Sequence, residues 1–245
     1  MSMCLRSIFT IHNETGNVWT HLLGMLFFLA CSVMFFSQVM KPMLVHFVVL
    51  IPFSFACVAC MGLSAAYHLF SCHYCQRVHD KMMQWDYFGI TCLIVGSFLP
   101  PCYYAFQCEP MLRLLYLTMI GVLGSVGLVG PFFGFWAQER YYWLRLGGYC
   151  SVAGSGIFPV VHVNFVLPNG TARPYVFGLA IMMLLYFVGM MIYIFKVPER
   201  WFPGRFDIWL HSHQLWHVFV LCAAMVHFFN SGSMYLQLEP MEVHC

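Results

Sequence analysis

Seven stretches of apolar residues, each about as long as the twenty residues that roughly 30 Å of hydrocarbon demands, dominate the chain: 18–40, 43–70, 82–106, 114–136, 143–166, 174–195 and 208–230. Short connections separate them, punctuated by Lys41-Pro42, Glu109-Pro110, Pro168-Asn169-Gly170 and the run from Pro198 to Gly204. Lipid offers the backbone no hydrogen bonds, so each stretch must satisfy its own amides, and helices do so. The expected fold is therefore all-α, a single seven-transmembrane helix bundle over residues 1–245, with no domain linker and no internal repeat.

Composition agrees. Of 245 residues 61% are hydrophobic and only 8% charged, where soluble chains carry about a quarter charged residues. A formal net charge of +2 without a Lys/Arg cluster excludes nucleic acid as a partner. Cys31, Cys57, Cys60, Cys92, Cys150 and Cys222 sit inside apolar runs and read as small hydrophobes rather than a disulfide framework. The opening MSMCLRSIF lacks a basic n-region followed by a cleavable apolar core, so the first span is expected to stay as an anchor.

Basic residues set the orientation. Arg6, Arg77, Lys81, Arg140, Arg145, Lys196, Arg200 and Arg205 fall on the N-terminal side, against Lys41, Arg113 and Arg173 on the other. The positive-inside rule places the N-terminus in the cytoplasm and, after seven spans, the C-terminus outside the cell or in a lumen. Of the two glycosylation sequons, Asn169-Gly170-Thr171 lies on the outer side and Asn13-Glu14-Thr15 on the inner one.

Ionisable residues inside spans are costly and mark function by default. Those within the seven spans are His21, His46, His68, Asp86, His162, His211, His213, His217 and His227. Counting from the loops, His68 ends span 2, Asp86 opens span 3, and His213 and His217 occupy the first turns of span 7, all in the inner-leaflet half. His213 and His217 are spaced i, i+4, on one helical face, and Ser64 stands in the same relation to His68. Three imidazoles with a carboxylate and a hydroxyl match a catalytic zinc site with three protein ligands and one open position. Haem between paired histidines is the competing metal reading. The plain alternative is a hydrogen-bond partner between helices, which is the reading for His46, His162 and His227. Cys72-His73-Tyr74-Cys75 with His79 lacks a four-ligand set and reads as a loop with incidental cysteines, and Lys196 lies in a loop, so the last helix has no lysine for a retinal Schiff base.

Five motifs carry a resemblance: Ile11-His12-Asn13-Glu14-Thr15-Gly16-Asn17-Val18-Trp19-Thr20-His21, Ser64-Ala65-Ala66-Tyr67-His68, Trp85-Asp86-Tyr87, the run from Val197 to Asp207, and Ser212-His213-Gln214-Leu215-Trp216-His217. Together, from about Leu5 to Phe229, the chain resembles the progestin and adipoQ receptor family, most of all its adiponectin-receptor branch. The resemblance implies a cytoplasmic N-terminus, a zinc ion (Zn2+) held by His68, His213 and His217, and Asp86 and Ser64 acting through a water on that zinc. It also implies ceramidase activity, yielding sphingosine and a free fatty acid. The chain begins a few residues before the first motif, so the longer N-terminal region of adiponectin receptors is expected to be absent, and the tail after Phe229 differs from theirs.

Three functions compete. One is a membrane receptor whose bundle hydrolyses ceramide-like lipid amides; another is a zinc-stapled receptor or scaffold without catalysis, responsive to steroids or resident in the Golgi; the third is a plain alkaline-ceramidase-type enzyme with no extracellular ligand. Expected partners are a membrane lipid (ceramide or fatty acid) within the bundle and an extracellular protein or steroid ligand, with a homo-oligomer allowed. The plasma membrane is the first expectation for residence, the Golgi or endoplasmic reticulum the second.

Overall fold

The computed structural model describes residues 2–39, 43–167 and 170–238. Met40, Lys41, Pro42, Pro168 and Asn169, the last being the acceptor of the second sequon, lie outside the described residues. A short helix α1 (Ser2–Ser7) is followed by α2 (Thr15–Gln38), α3 (Leu44–Phe70), α4 (Gln76–Ala105), α5 (Pro110–Val129), α6 (Tyr142–Gly154), α7 (Ile157–Val166), α8 (Arg173–Phe195) and α9 (Ser212–Leu238). Seven segments are long and apolar enough to cross a bilayer, with α6 and α7 together forming one of them, and no strand occurs among the described residues. This is an integral multi-pass membrane protein.

The expected spans are recovered with shifted ends, each for a physical reason. Helix α4 begins at Gln76, so Asp86 lies ten residues inside it rather than at its opening. The turns from Gln76 to Gln84 are polar, and a search for hydrocarbon-spanning residues passes over helix that protrudes from the hydrocarbon. Helix α9 starts at Ser212, not 208, leaving His211 in the preceding loop, and it runs on to Leu238 because Met234, Tyr235 and Leu238 are buried in the core. The fifth span breaks at Ser155–Gly156. Pro159 supplies no amide to the Ser155 carbonyl and its ring crowds that group, which ends α6 where it does.

Prolines inside helices free carbonyls that lipid cannot satisfy. Pro101 leaves the Ser97 carbonyl without its helical donor, and His227 Nε2 donates to it at 2.7 Å. His46 pairs with the Tyr104 hydroxyl at 3.1 Å and His162 with that of Tyr116 at 2.8 Å. All three histidines are thus interhelical partners, as expected. At the same end as Tyr104, Gln107 donates to the Leu238 carbonyl that closes α9.

Packing sets the register that matters for the site. Helices α3 and α4 run antiparallel over most of their length, and α9 touches α8, α2, α4 and α3. A Cβ at Gly89 would stand 3.1 Å from the Cys60 Cα, and one at Gly96 would stand 2.8 Å from the Ala56 Cβ. Two glycines one heptad apart let the backbones approach, as small residues do between membrane helices, and this register sets Asp86 opposite Ser64. Gly89→Leu should therefore force the pair apart, costing about 1–3 kcal/mol of overpacking strain and lowering the thermal midpoint of the detergent-solubilised protein, whereas Gly121→Ala, with open space around its Cβ, should leave it unchanged or raised.

Candidate metal centre

Three helix ends meet where α1, the 71–75 turn and the loop between α8 and α9 gather. His68 occupies the last turn of α3 and His213 and His217 the first two turns of α9. The structure brings all three together, with one ring nitrogen from each within 4.8 Å of the others. Their ring centroids are 5.0 Å (His68 to His213), 4.6 Å (His68 to His217) and 4.8 Å (His213 to His217) apart. These three residues could hold a metal ion.

Geometry and donor chemistry fit a small cation. The Nε2 atoms of His68 and His213 are 3.2 Å apart, close to the roughly 3.3–3.4 Å that separates two nitrogens bonded at about 2.0–2.1 Å to a tetrahedral zinc. His68 Nδ1 donates to the Glu14 carboxylate at 2.7 Å, which leaves Nε2 as the basic nitrogen facing His213. A carboxylate behind a ligating imidazole fixes the ring and its tautomer and raises its basicity.

Glu14 is the residue that reading by spans passed over. It stands at the N-cap of α2 yet makes no side-chain cap; its carboxylate instead accepts from His68 and from Asn17 Nδ2, the latter at 2.6 Å. Burial pushes the Glu14 carboxyl up, but the hydrogen bonds from His68 and Asn17 outweigh it and hold the group below the usual carboxylate range. It is an anion at every physiological pH. The available signal was an acid immediately before the first span on the side where the histidines gather.

Other residues complete the surroundings. His21 of α2 stacks on His217 with centroids 3.8 Å apart and planes inclined by 17°, and the Tyr193 ring lies 5.4 Å from that of His213. Ser64 lies on α3 one turn from His68, and Asp86 interacts with its hydroxyl and with the charge of His68. Gln214, between the two α9 histidines, donates to the carbonyls of Asn13 and Ile208 at 3.0 and 2.7 Å and accepts from the Leu210 amide at 2.7 Å. Glu199 takes both the Ser212 amide, at 2.8 Å, and the Ser212 hydroxyl, capping α9 just before His213. His211, expected in the last span, donates from the loop to the Asn13 carbonyl at 3.1 Å. The Cys72 to His79 stretch joins no group of metal-ligating side chains among the described residues.

Comparison with known proteins follows this geometry. Residues 9–228 match the haemolysin-III-related family. The chain is similar to the adiponectin receptor protein of Drosophila melanogaster, 37% identical over 94% of this chain and 52% of that one. It is equally similar, at 37%, to the progestin and adipoQ receptor-like protein 1 of Caenorhabditis elegans, over 95% of this chain and 54% of that one. The progestin and adipoQ receptor family member 3 of Mus musculus is 32% identical over 96% of this chain and 76% of its own length. The chain thus spans about half the length of the first two relatives.

Metal retention reads out the arrangement directly. Glu14→Gln keeps the size of the side chain but removes the charge behind His68, and is expected to weaken divalent zinc binding by about 10–100-fold in a competition titration. Glu139→Gln, on an exposed turn, should leave it unchanged.

Proposed function

The chain belongs to the haemolysin-III-related family, and on that premise we propose that it is a receptor-type membrane protein that binds zinc through His68, His213 and His217 and hydrolyses a ceramide-like lipid amide. The observation that carries the reading is the convergence of three imidazoles, one held by the half-buried Glu14 carboxylate, beside a second carboxyl and a hydroxyl. Bound there, zinc would supply Lewis-acid polarisation of the amide carbonyl and acidify a water molecule. Asp86 takes the proton of the attacking water on a carboxyl oxygen and returns it to the amide nitrogen as the carbon–nitrogen bond breaks. Ser64 Oγ orients the water or donates to the carbonyl oxygen as charge builds there. The products are a fatty acid and a long-chain amine.

Between α4, α7, α8 and α9 lies a cavity of about 140 Å³ lined by Phe98, Pro101, Val160, Leu179 and Met183, almost wholly apolar, a lining that suits part of a lipid chain. His227 in its wall is ten residues along α9 from His217, about 15 Å of helix. The second reading, a zinc staple joining α3 to α9 and, through Glu14, to α2, is favoured by the way the ligands bridge separate helices.

Nanodisc-embedded protein, assayed for metal content and for release of fatty acid from a labelled ceramide, separates the two. Wild type should turn over; Asp86→Asn should retain zinc and lose about 10²–10⁴-fold in rate; His213→Ala should lose both. Zinc at one per chain with no turnover by wild type would leave the staple standing.

We propose further that the histidine end of the bundle faces the cytoplasm. Besides the basic residues gathered there, Cys108, in the turn between α4 and α5 at the opposite end, is disulfide-bonded, which suits an oxidising compartment. Cys4, Cys72 and Cys75, at the histidine end, are free thiols. A membrane-impermeant maleimide should accordingly label the exposed Cys72 only after permeabilisation of sealed cells, with the signal reduced in Cys72→Ser; labelling of intact cells would reverse the orientation.

A further inference from the structure

The loop between α8 and α9 is short of water-loving surface. Trp201 is 66% exposed and Trp209 48%, with Phe202, Ile208 and Leu210 also open, while Lys196, Arg200 and Arg205 project among them. Of the two acids in the same run, Glu199 is spent on Ser212 and only Asp207 stands exposed against the three cations. Beside this loop lies the N-terminal segment, where Phe9 is 84% exposed, Met3, Leu5 and Ile11 are open, and Arg6 is exposed. The two segments are held together at the Asn13 carbonyl, to which both His211 and Gln214 donate, and Trp19 Nε1 of α2 fixes the N-terminal segment through the Ile8 carbonyl at 3.0 Å.

We propose that these two segments form one docking surface for the anionic headgroups of the leaflet that borders the histidine cluster. Three features select the bilayer as occupant. Aromatic side chains alternating with Arg and Lys are the chemistry of the membrane–water interface, where the ring sits at headgroup depth and the cation meets phosphate or carboxylate. The patch is continuous with the bilayer-facing helix surfaces, through Phe195 at the end of α8 and Leu23 on α2, both exposed. Its charge is complementary to an anionic leaflet, because Lys196, Arg200, Arg205 and Arg6 face one balancing exposed acid in this loop. The loop lies in the plane of the interface, with Trp201 and Trp209 reaching into it. The inference does not depend on catalysis.

Its consequence reaches the site mechanically. The loop supplies the Glu199 cap of α9 and the Ile208 and Leu210 contacts of Gln214, so holding it against lipid holds the first turns of α9, where His213 and His217 stand.

The test uses the full chain in nanodiscs of phosphatidylcholine brominated either near the headgroup or near the chain end, with and without phosphatidylserine. Emission of Trp201 and Trp209 is taken as the difference between wild type and Trp201→Phe/Trp209→Phe, with the single substitutions serving if the double one does not fold. Shallow bromine is expected to quench that emission severalfold more than deep bromine. Phosphatidylserine should deepen the quenching, and Arg200→Gln/Arg205→Gln should remove the phosphatidylserine effect. Tryptophans quenched by aqueous iodide and untouched by either brominated lipid would overturn the proposal and leave the patch facing water, as a surface for a protein partner. Shallow quenching indifferent to phosphatidylserine would overturn the anionic specificity.

Discussion

Every buried polar group in this bundle needs a partner supplied by the protein, because the surrounding hydrocarbon supplies none. That constraint explains the distribution of histidine. His227 donates to the carbonyl that Pro101 orphans, and His46 and His162 each meet a tyrosine hydroxyl, so these three imidazoles are consumed by the fold. His68, His213 and His217 differ in turning ring nitrogens toward one another. Imidazole nitrogens gathered within 4.8 Å of one another, two of them 3.2 Å apart, are what a small cation requires.

The same constraint decides where such a site can be afforded. The three histidines occupy helix ends rather than helix middles, at the end of the bundle where the loops carry most of the basic residues and where Glu14 and Glu199 can be brought in from outside the apolar spans. A carboxylate at the bilayer centre would have to be neutralised. At the mouth of α2, Glu14 remains ionised with two donors on it. The polar machinery therefore lies on three rigid helices but draws its supporting groups from the connections between them.

Much of this was legible in the sequence, and the boundary of legibility is physical. Apolar length betrays a span because the bilayer has a thickness, so the seven segments could be counted. It does not betray helix that leaves the hydrocarbon, and so the first turns of α4 and the last of α9 went unread. The trio of histidines followed from i, i+4 spacing and from depth counted from shared loops. Depth counting brought Asp86 to the right level despite misplacing it along its helix, because α3 and α4 pair in register through Gly89 and Gly96. Glu14 showed only as an acid just before the first span, and its contact with His68, like the stacking of His21 on His217, was hidden, since both depend on α2 packing against α3 and α9, which no local pattern in the chain encodes.

The two carboxyl groups near the imidazoles have unlike surroundings, and this bears on how the site divides its work. Glu14 accepts from a ring nitrogen and an amide, so its lone pairs are committed and its charge is fixed. Asp86 reaches the site from a different helix, beside the Ser64 hydroxyl. A carboxylate bound by two strong donors is suited to orienting a ligand and poorly suited to exchanging protons. One with a single hydroxyl beside it keeps the capacity to accept a proton and release it. In the proposed function, the separation of the two acids, one anchored by the N-terminal segment and one by the α3–α4 packing, divides orienting a ligand from moving a proton.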